Sequence, residues 1–314
     1  MSLTSPDNME ATLVFEAKRV LERRDVPAVA AQVRMVTDSF PNAWGVVAAR
    51  YLAPSVRQAL VDSGLSFIDA TGNARLVVSR PGFFLSNRGS DKDPWRGPGR
   101  PRGSLKGVPA ARVVRALIDF SGEWKIRDLI ESSGASTGAT YRVVDYLERE
   151  GLLLRGDGGR LKLKEWRPLL EEWSKDYGFV RSSRVTRYIE PRGLPSLMEK
   201  ASASRDLQYA FTGTLAAAEW APYAPARMAQ VYVVDAAQAA RQWGLREAEA
   251  GANVLLAEPE VDVVFERGLT NAKGLAIVSP AQAAVDMLTG PGRNPSEAEE
   301  LMDWMERNER SWRL

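Results

Sequence analysis

The 314-residue sequence contains no cysteine and no histidine. Without cysteine there is no disulfide, no thiolate nucleophile and no sulfur ligand for zinc. Without histidine there is no imidazole general base and no Ser-His-Asp triad. Chemistry of any kind must use Asp, Glu, Lys, Ser, Thr, Tyr or Arg, and a metal would take oxygen ligands, as Mg²⁺ and Mn²⁺ do. Long apolar runs are also missing: none approaches the ~20 residues that span a bilayer. Charge breaks up the start of the chain before a signal-peptide core can form. A cytoplasmic protein with no membrane partner is therefore expected. Net charge is scarce too, with 42 Lys and Arg against 40 Asp and Glu, so a nucleic-acid partner requires a local basic patch. What remains is ordinary: 45% hydrophobic and 26% charged residues suit a chain with a sizeable core.

The segment 91–107 holds three prolines and four glycines, and every charge between Arg96 and Lys106 is positive. Neither a helix nor a central strand persists through such a run. It reads as a linker after a first domain of residues 1–90. In that domain the pattern predicts strands over 12–15, 43–49, 65–68 and 74–78, with helices over 26–33 and 54–62, a small α/β unit. Beyond the linker, 108–165 predicts helices over 110–120, 125–132 and 136–149. A hairpin follows, pairing 152–154 with 161–163 across Gly156-Asp157-Gly158-Gly159. From 166 to 314 strand-like runs at 208–212, 230–235, 253–256, 261–265 and 275–278 alternate with helical segments at 215–220, 237–243, 280–288 and 295–307. The fold expected is an α+β or α/β multidomain chain.

The order and spacing of 108–165 are those of a winged helix-turn-helix, whose third helix enters the major groove. Ser136, Thr137, Thr140, Tyr141 and Arg142 would lie at the exposed start of that helix. Their hydroxyls suit phosphate contacts, and Arg142 can also read guanine. Arg155 and Arg160 flank the glycine turn of the wing. The block carries ten basic against nine acidic residues, so a protein-contact role remains open beside duplex DNA binding. In the linker, Arg96, Arg100, Arg102 and Lys106 offer phosphate attraction. Gly99-Arg100-Pro101-Arg102 resembles the core of an AT-hook, which lies in the narrow minor groove of A·T tracts.

Phe15-Glu16-Ala17-Lys18, preceded by Pro6-Asp7, resembles the PD-(D/E)XK nuclease signature. The resemblance implies Asp7 and Glu16 as Mg²⁺ ligands, Lys18 orienting the attacking water, and Gln32 on the following helix. Only eight residues separate Asp7 from Glu16, short for that family's two-strand connection. The other readings are an inactive nuclease-like domain, or one amphipathic helix over 10–24 with Glu16 and Lys18 solvated.

A wider resemblance runs through Tyr209-Ala-Phe-Thr-Gly-Thr-Leu-Ala216, Val231-Tyr-Val-Val-Asp235, Val264-Phe265, Ile277-Val-Ser-Pro-Ala-Gln282 and Asp286-Met-Leu288. These look like the AbiEi-type antitoxin and transcriptional-regulator family of type IV toxin–antitoxin systems. Tyr51-Leu-Ala-Pro-Ser-Val-Arg57 and Phe67-Ile-Asp-Ala-Thr-Gly-Asn73 are similar to the N-terminal region of longer members. The resemblance implies a winged helix that binds inverted repeats and a C-terminal domain that counters a nucleotidyltransferase toxin. Self-association as a dimer stays open. This chain departs in placing the winged helix in its middle, so a stand-alone regulator fits equally. The leading expectation is a non-enzymatic DNA-binding regulator without a cofactor, and the alternative is a Mg²⁺-dependent nuclease at Asp7, Glu16 and Lys18.

Overall fold

The computed structural model describes residues 1–95 and 104–314. Among them are sixteen strands in three sheets and twelve α-helices, a mixed α/β protein. They fall into two compact units, one of residues 1–95 and 146–151 and one of 104–145 and 152–314. Arg96, Arg100 and Arg102, and with them the hook-like segment, lie outside the described residues.

The first unit is a six-stranded sheet in sequence order. It comprises β1 (Ser2–Thr4), β2 (Glu10–Lys18), β3 (Ala43–Ala49), β4 (Ser66–Asp69), β5 (Ala74–Val78) and β6 (Phe83–Asn87). The central strands β2, β3 and β4 run parallel, joined by crossover helices α1 (Val26–Thr37) and α2 (Pro54–Asp62). Apolar residues at helical spacing in α1, Val26, Val29, Ala30 and Val33, pack with Val56 and Leu60 of α2 over Val47 and Phe67. A side chain at Gly45 would begin 2.2 Å from Val33 Cγ1, so α1 lies closer to β3 than any other residue there permits. Ala11, Leu13, Val46 and Val78 form a second cluster. Alternation at Ala11 and Leu13 is what makes 10–18 a strand and not the helix of the rival reading.

The two N-terminal segments quoted for the resemblance meet at one corner. Arg57 donates to Asn73 Oδ1 and pairs with Asp91. Asn73, 1% exposed, donates to Asp69, Thr71 and the Ser90 carbonyl, each at 2.9 Å. Burial opposes ionisation of Asp69, but bonds from Thr71, Asn73 and the Leu52 amide hold its carboxyl below the usual range.

The second unit begins with α3 (Val108–Asp119), β7 (Glu123–Trp124), α4 (Ile126–Ser133), the part of α5 (Thr137–Arg149) up to residue 145, β8 (Leu153–Arg155) and β9 (Leu161–Leu163). The three strands form a small sheet with β9 in the centre. Then come α6 (Trp166–Ser174), β10 (Ser183–Ile189), α7 (Leu194–Ser202), β11 (Tyr209–Thr212), α8 (Gly213–Ala217), β12 (Ala229–Val233) and α9 (Ala236–Trp243). The chain finishes with β13 (Arg246–Glu247), β14 (Val254–Pro259), β15 (Leu269–Thr270), β16 (Ala276–Ile277), α10 (Pro280–Leu288), α11 (Asn294–Arg307) and α12 (Glu309–Trp312). Seven strands make one mixed sheet in the order β13-β10-β14-β12-β11-β16-β15. Residues 261–265, expected as a strand, instead turn through a 3-10 helix that buries Val263 and Val264.

Helix α3 packs on α4, α6 and α10 and carries a charge into the core. Arg115 is 1% exposed. Its Nε donates to Asp119 at 3.1 Å. One terminal nitrogen reaches the Val263 carbonyl at 3.1 Å and Gln282 Oε1 at 2.9 Å, and the other reaches Asp119 and Ser279 Oγ at 2.8 and 2.9 Å. All five guanidinium donors are thus engaged. Gln282 passes the chain of bonds on: its Nε2 donates to Asp286 Oδ1 at 2.9 Å and to Tyr177 at 3.1 Å. Asp286 also accepts from Thr212 at 2.6 Å and Tyr232 at 2.8 Å. Burial pushes its carboxyl up to about 7, against the lowering pull of those three donors and of Arg115.

Arg115→Met leaves Asp119 buried without its cation, and thermal unfolding should register a loss of about 3–5 kcal/mol; an unchanged midpoint would contradict the role given to Arg115. Asp286 supplies a pH signature. The folded chain keeps its proton up to about pH 7 and the unfolded chain only below about pH 4. The folded state therefore binds more protons across that window, and this site's contribution to stability falls as pH rises from about 4 to about 7. Melting curves of Asp286→Asn should be flatter than wild type over that range; parallel curves would count against the raised value.

Candidate nucleic-acid interface

The surface of interest is built by α4, α5 and the β8–β9 hairpin. Helix α4 ends at Gly134, whose φ of 60° is left-handed and suits only glycine readily. The chain turns through buried Ala135 and enters α5 three residues after α4 ends. Leu129 of α4, Val144 of α5 and Leu117 of α3 are fully buried. One face of α5 is thereby used, and the other presents Ser136, Thr137, Tyr141 and Arg142 to solvent. Tyr141 is 44% exposed, and Arg142 has no ion pair among the described residues.

Thr140 differs from expectation. It is fully buried, and its hydroxyl donates back to the Ser136 carbonyl at 3.1 Å. The reason is helical phase, since positions 139, 140, 143, 144 and 147 all turn inward. It belongs to the interior and not to the contact set.

The hairpin pairs Leu153 with Leu163 and Arg155 with Leu161, and the turn closes with Gly156 donating to the Arg160 carbonyl at 2.8 Å. Arg160 is exposed at the tip. Arg155 is exposed and already partnered. Lys106 is not free either: it lies 3.9 Å from Asp176, whose other oxygen accepts the Leu105 amide. Sequence reasoning missed Lys162 and Lys164. Strict alternation in Leu161-Lys162-Leu163-Lys164 turns the leucines inward and both ammonium groups outward. That alternation was the available signal. Lys125 and Arg127 at the start of α4 are exposed cations as well.

The residues of the nuclease-like reading are not brought together. Asp7 sits in the turn before β2, whereas Glu16 and Lys18 are near its far end, about 20 Å along an extended strand from Glu10. Glu16 and Lys18 share a face and pair with each other at 2.7 Å. This donor set does not fit a Mg²⁺ site, and among the described residues no group of three carboxylates is placed to hold a metal. Asp235 caps α9, and Asp262 pairs with Arg112 at 2.8 Å. No family model, curated protein or solved structure matches the chain.

The burial of Thr140 gives a clean check. Thr140→Val should lower the unfolding midpoint by the equivalent of about 1 kcal/mol, the value of one hydrogen bond, while duplex affinity stays within about twofold. A large fall in affinity at unchanged stability would return Thr140 to the surface.

Proposed function

We propose that the chain is a DNA-binding regulator whose residues 108–163 act as a winged helix-turn-helix. The single observation that carries this reading is the three-stranded sheet in which β7 pairs with the second hairpin strand β9, beside two helices joined by a glycine turn. That arrangement leaves the N-terminal half of α5 and the hairpin tip as projecting elements of suitable size for a major groove and its flanking phosphates.

Tyr141 and Arg142 are the base-reading candidates, with Ser136 and Thr137 on the phosphates at the helix start. Arg160, Lys162 and Lys164 supply backbone attraction from the hairpin. The C-terminal motif residues Thr212, Ser279, Gln282 and Asp286 are buried and hold α3. They support a scaffold role, so an antitoxin function would have to reside in other surfaces of that unit.

Replacing Arg142 by Ala should weaken binding to a cognate duplex by about 1–3 kcal/mol and relax its sequence preference. Arg160→Ala and Lys162→Ala should weaken all duplexes alike and shallow the salt dependence by about one unit each. Fluorescence anisotropy with a labelled duplex reads both; unchanged affinity in all three variants would remove this surface from DNA recognition.

A further inference from the structure

A second surface of the larger unit has the make-up of a ligand site. In the seven-stranded sheet Arg187 pairs with Leu255, Leu255 with Gln230, and Gln230 with Thr212. Paired residues on neighbouring strands share a face, so these four form one lateral row. Thr212 is covered because its hydroxyl reaches Asp286 of α10. Past that point the row opens into a cavity of about 570 Å³, whose apolar lining includes Leu255, Met228, Val180 and Pro291. That volume lies within the roughly 300–1,000 Å³ range of small-molecule sites.

The polar groups around the cavity point to the ligand's charge. Arg187, Arg227 and Arg293 line it, with Glu249 the one acid among its lining residues. Arg187 and Arg227 are exposed and form no ion pair among the described residues. Arg293 is held by Glu297 at 2.5 Å beside the N-terminus of α11, whose dipole adds to the positive field. Gln230 is only 8% exposed, yet its side-chain amide makes no hydrogen bond among the described residues. That amide lines the cavity, so its donor and acceptor capacity is open to a ligand there.

We infer that this cavity binds a small organic acid: an anionic group held between Arg187 and Arg227, with an apolar body lying over Leu255 and Met228 and a polar atom meeting Gln230. The site is separate from the α5–hairpin surface and does not depend on the DNA-binding reading.

The test uses the full chain and three probes. 8-Anilinonaphthalene-1-sulfonate carries charge and an apolar body, N-phenyl-1-naphthylamine the body alone, and inorganic phosphate the charge alone. Fluorescence and calorimetric titration should give saturable binding of the sulfonate at about one per chain. Binding of the other two should be at least about tenfold weaker. Arg187→Ala with Arg227→Ala should weaken the sulfonate by about tenfold or more, without moving the thermal midpoint, because both side chains are exposed. Ala252→Trp, which fills the cavity from its lining, should abolish saturable binding. Undiminished sulfonate binding in the double arginine variant, or equal binding of the sulfonate and the neutral amine, would overturn the proposal. So would retention of the site after Ala252→Trp in a chain that still melts cooperatively.

Discussion

Arg115 is a permanent cation buried to 1% exposure, and the larger unit is arranged to supply its oxygens. Removing a guanidinium from solvent costs several kcal/mol, recovered only when every donor is met in good geometry. The acceptors come from one turn further along α3, from the 262–266 turn, and from Ser279 and Gln282 at the start of α10. The last two segments lie about 150 residues or more from α3 in sequence, so the C-terminal part of the unit holds α3 in place. Gln282 then makes the arrangement directional. Its carbonyl oxygen faces the cation and its nitrogen faces Asp286, which fixes which way the amide lies.

The same helix is tied at its end. The last carbonyls of α3 accept from Arg313 and Arg267, and the Leu314 amide donates to the Asp119 carbonyl at 3.0 Å. Guanidinium groups at a helix C-terminus satisfy orphan carbonyls and oppose the negative end of the dipole. Helix α3 is therefore a fixed post on which α4 packs. A recognition surface needs this rigidity, because contacts to a groove are worth little if the residues making them must first be ordered. Within this one unit the exposed charges that would meet DNA and the buried charges that hold the scaffold are separate sets.

Much of the local structure was legible in the sequence because it follows from short-range pattern. The three helices after residue 107 have apolar positions at helical spacing, with Gly134 and Gly151 as stops, and each lies within two residues of its expected bounds. The parallel strands β3 and β4 and the antiparallel β5 announced themselves as short apolar runs between turn residues. Strand β10 was missed because Arg184 and Arg187 interrupt its apolar run. The 261–265 run misled for the opposite reason. Its β-branched residues suit a strand, but Val263 must turn its carbonyl toward Arg115. Thr140 was placed on the wrong face by composition, since hydroxyls suggest phosphates, whereas helical phase decides burial. The Thr212, Gln282 and Asp286 network was invisible as a site. Its members were noted as motif residues, yet nothing local says that they meet a cation on α3.

The central claim is that a duplex is held by a small basic surface on an otherwise balanced chain, and salt dependence tests it most directly. Titrating a labelled duplex with the full chain across a range of NaCl should give a log–log line falling with a slope of about −3 to −5, since each neutralised phosphate contributes about 0.9. The six exposed cations Lys125, Arg127, Arg142, Arg160, Lys162 and Lys164 are the pool from which that expectation is drawn. Absence of binding at low salt, or an affinity indifferent to salt, would contradict the account and leave α5 and the hairpin as a surface for something other than DNA.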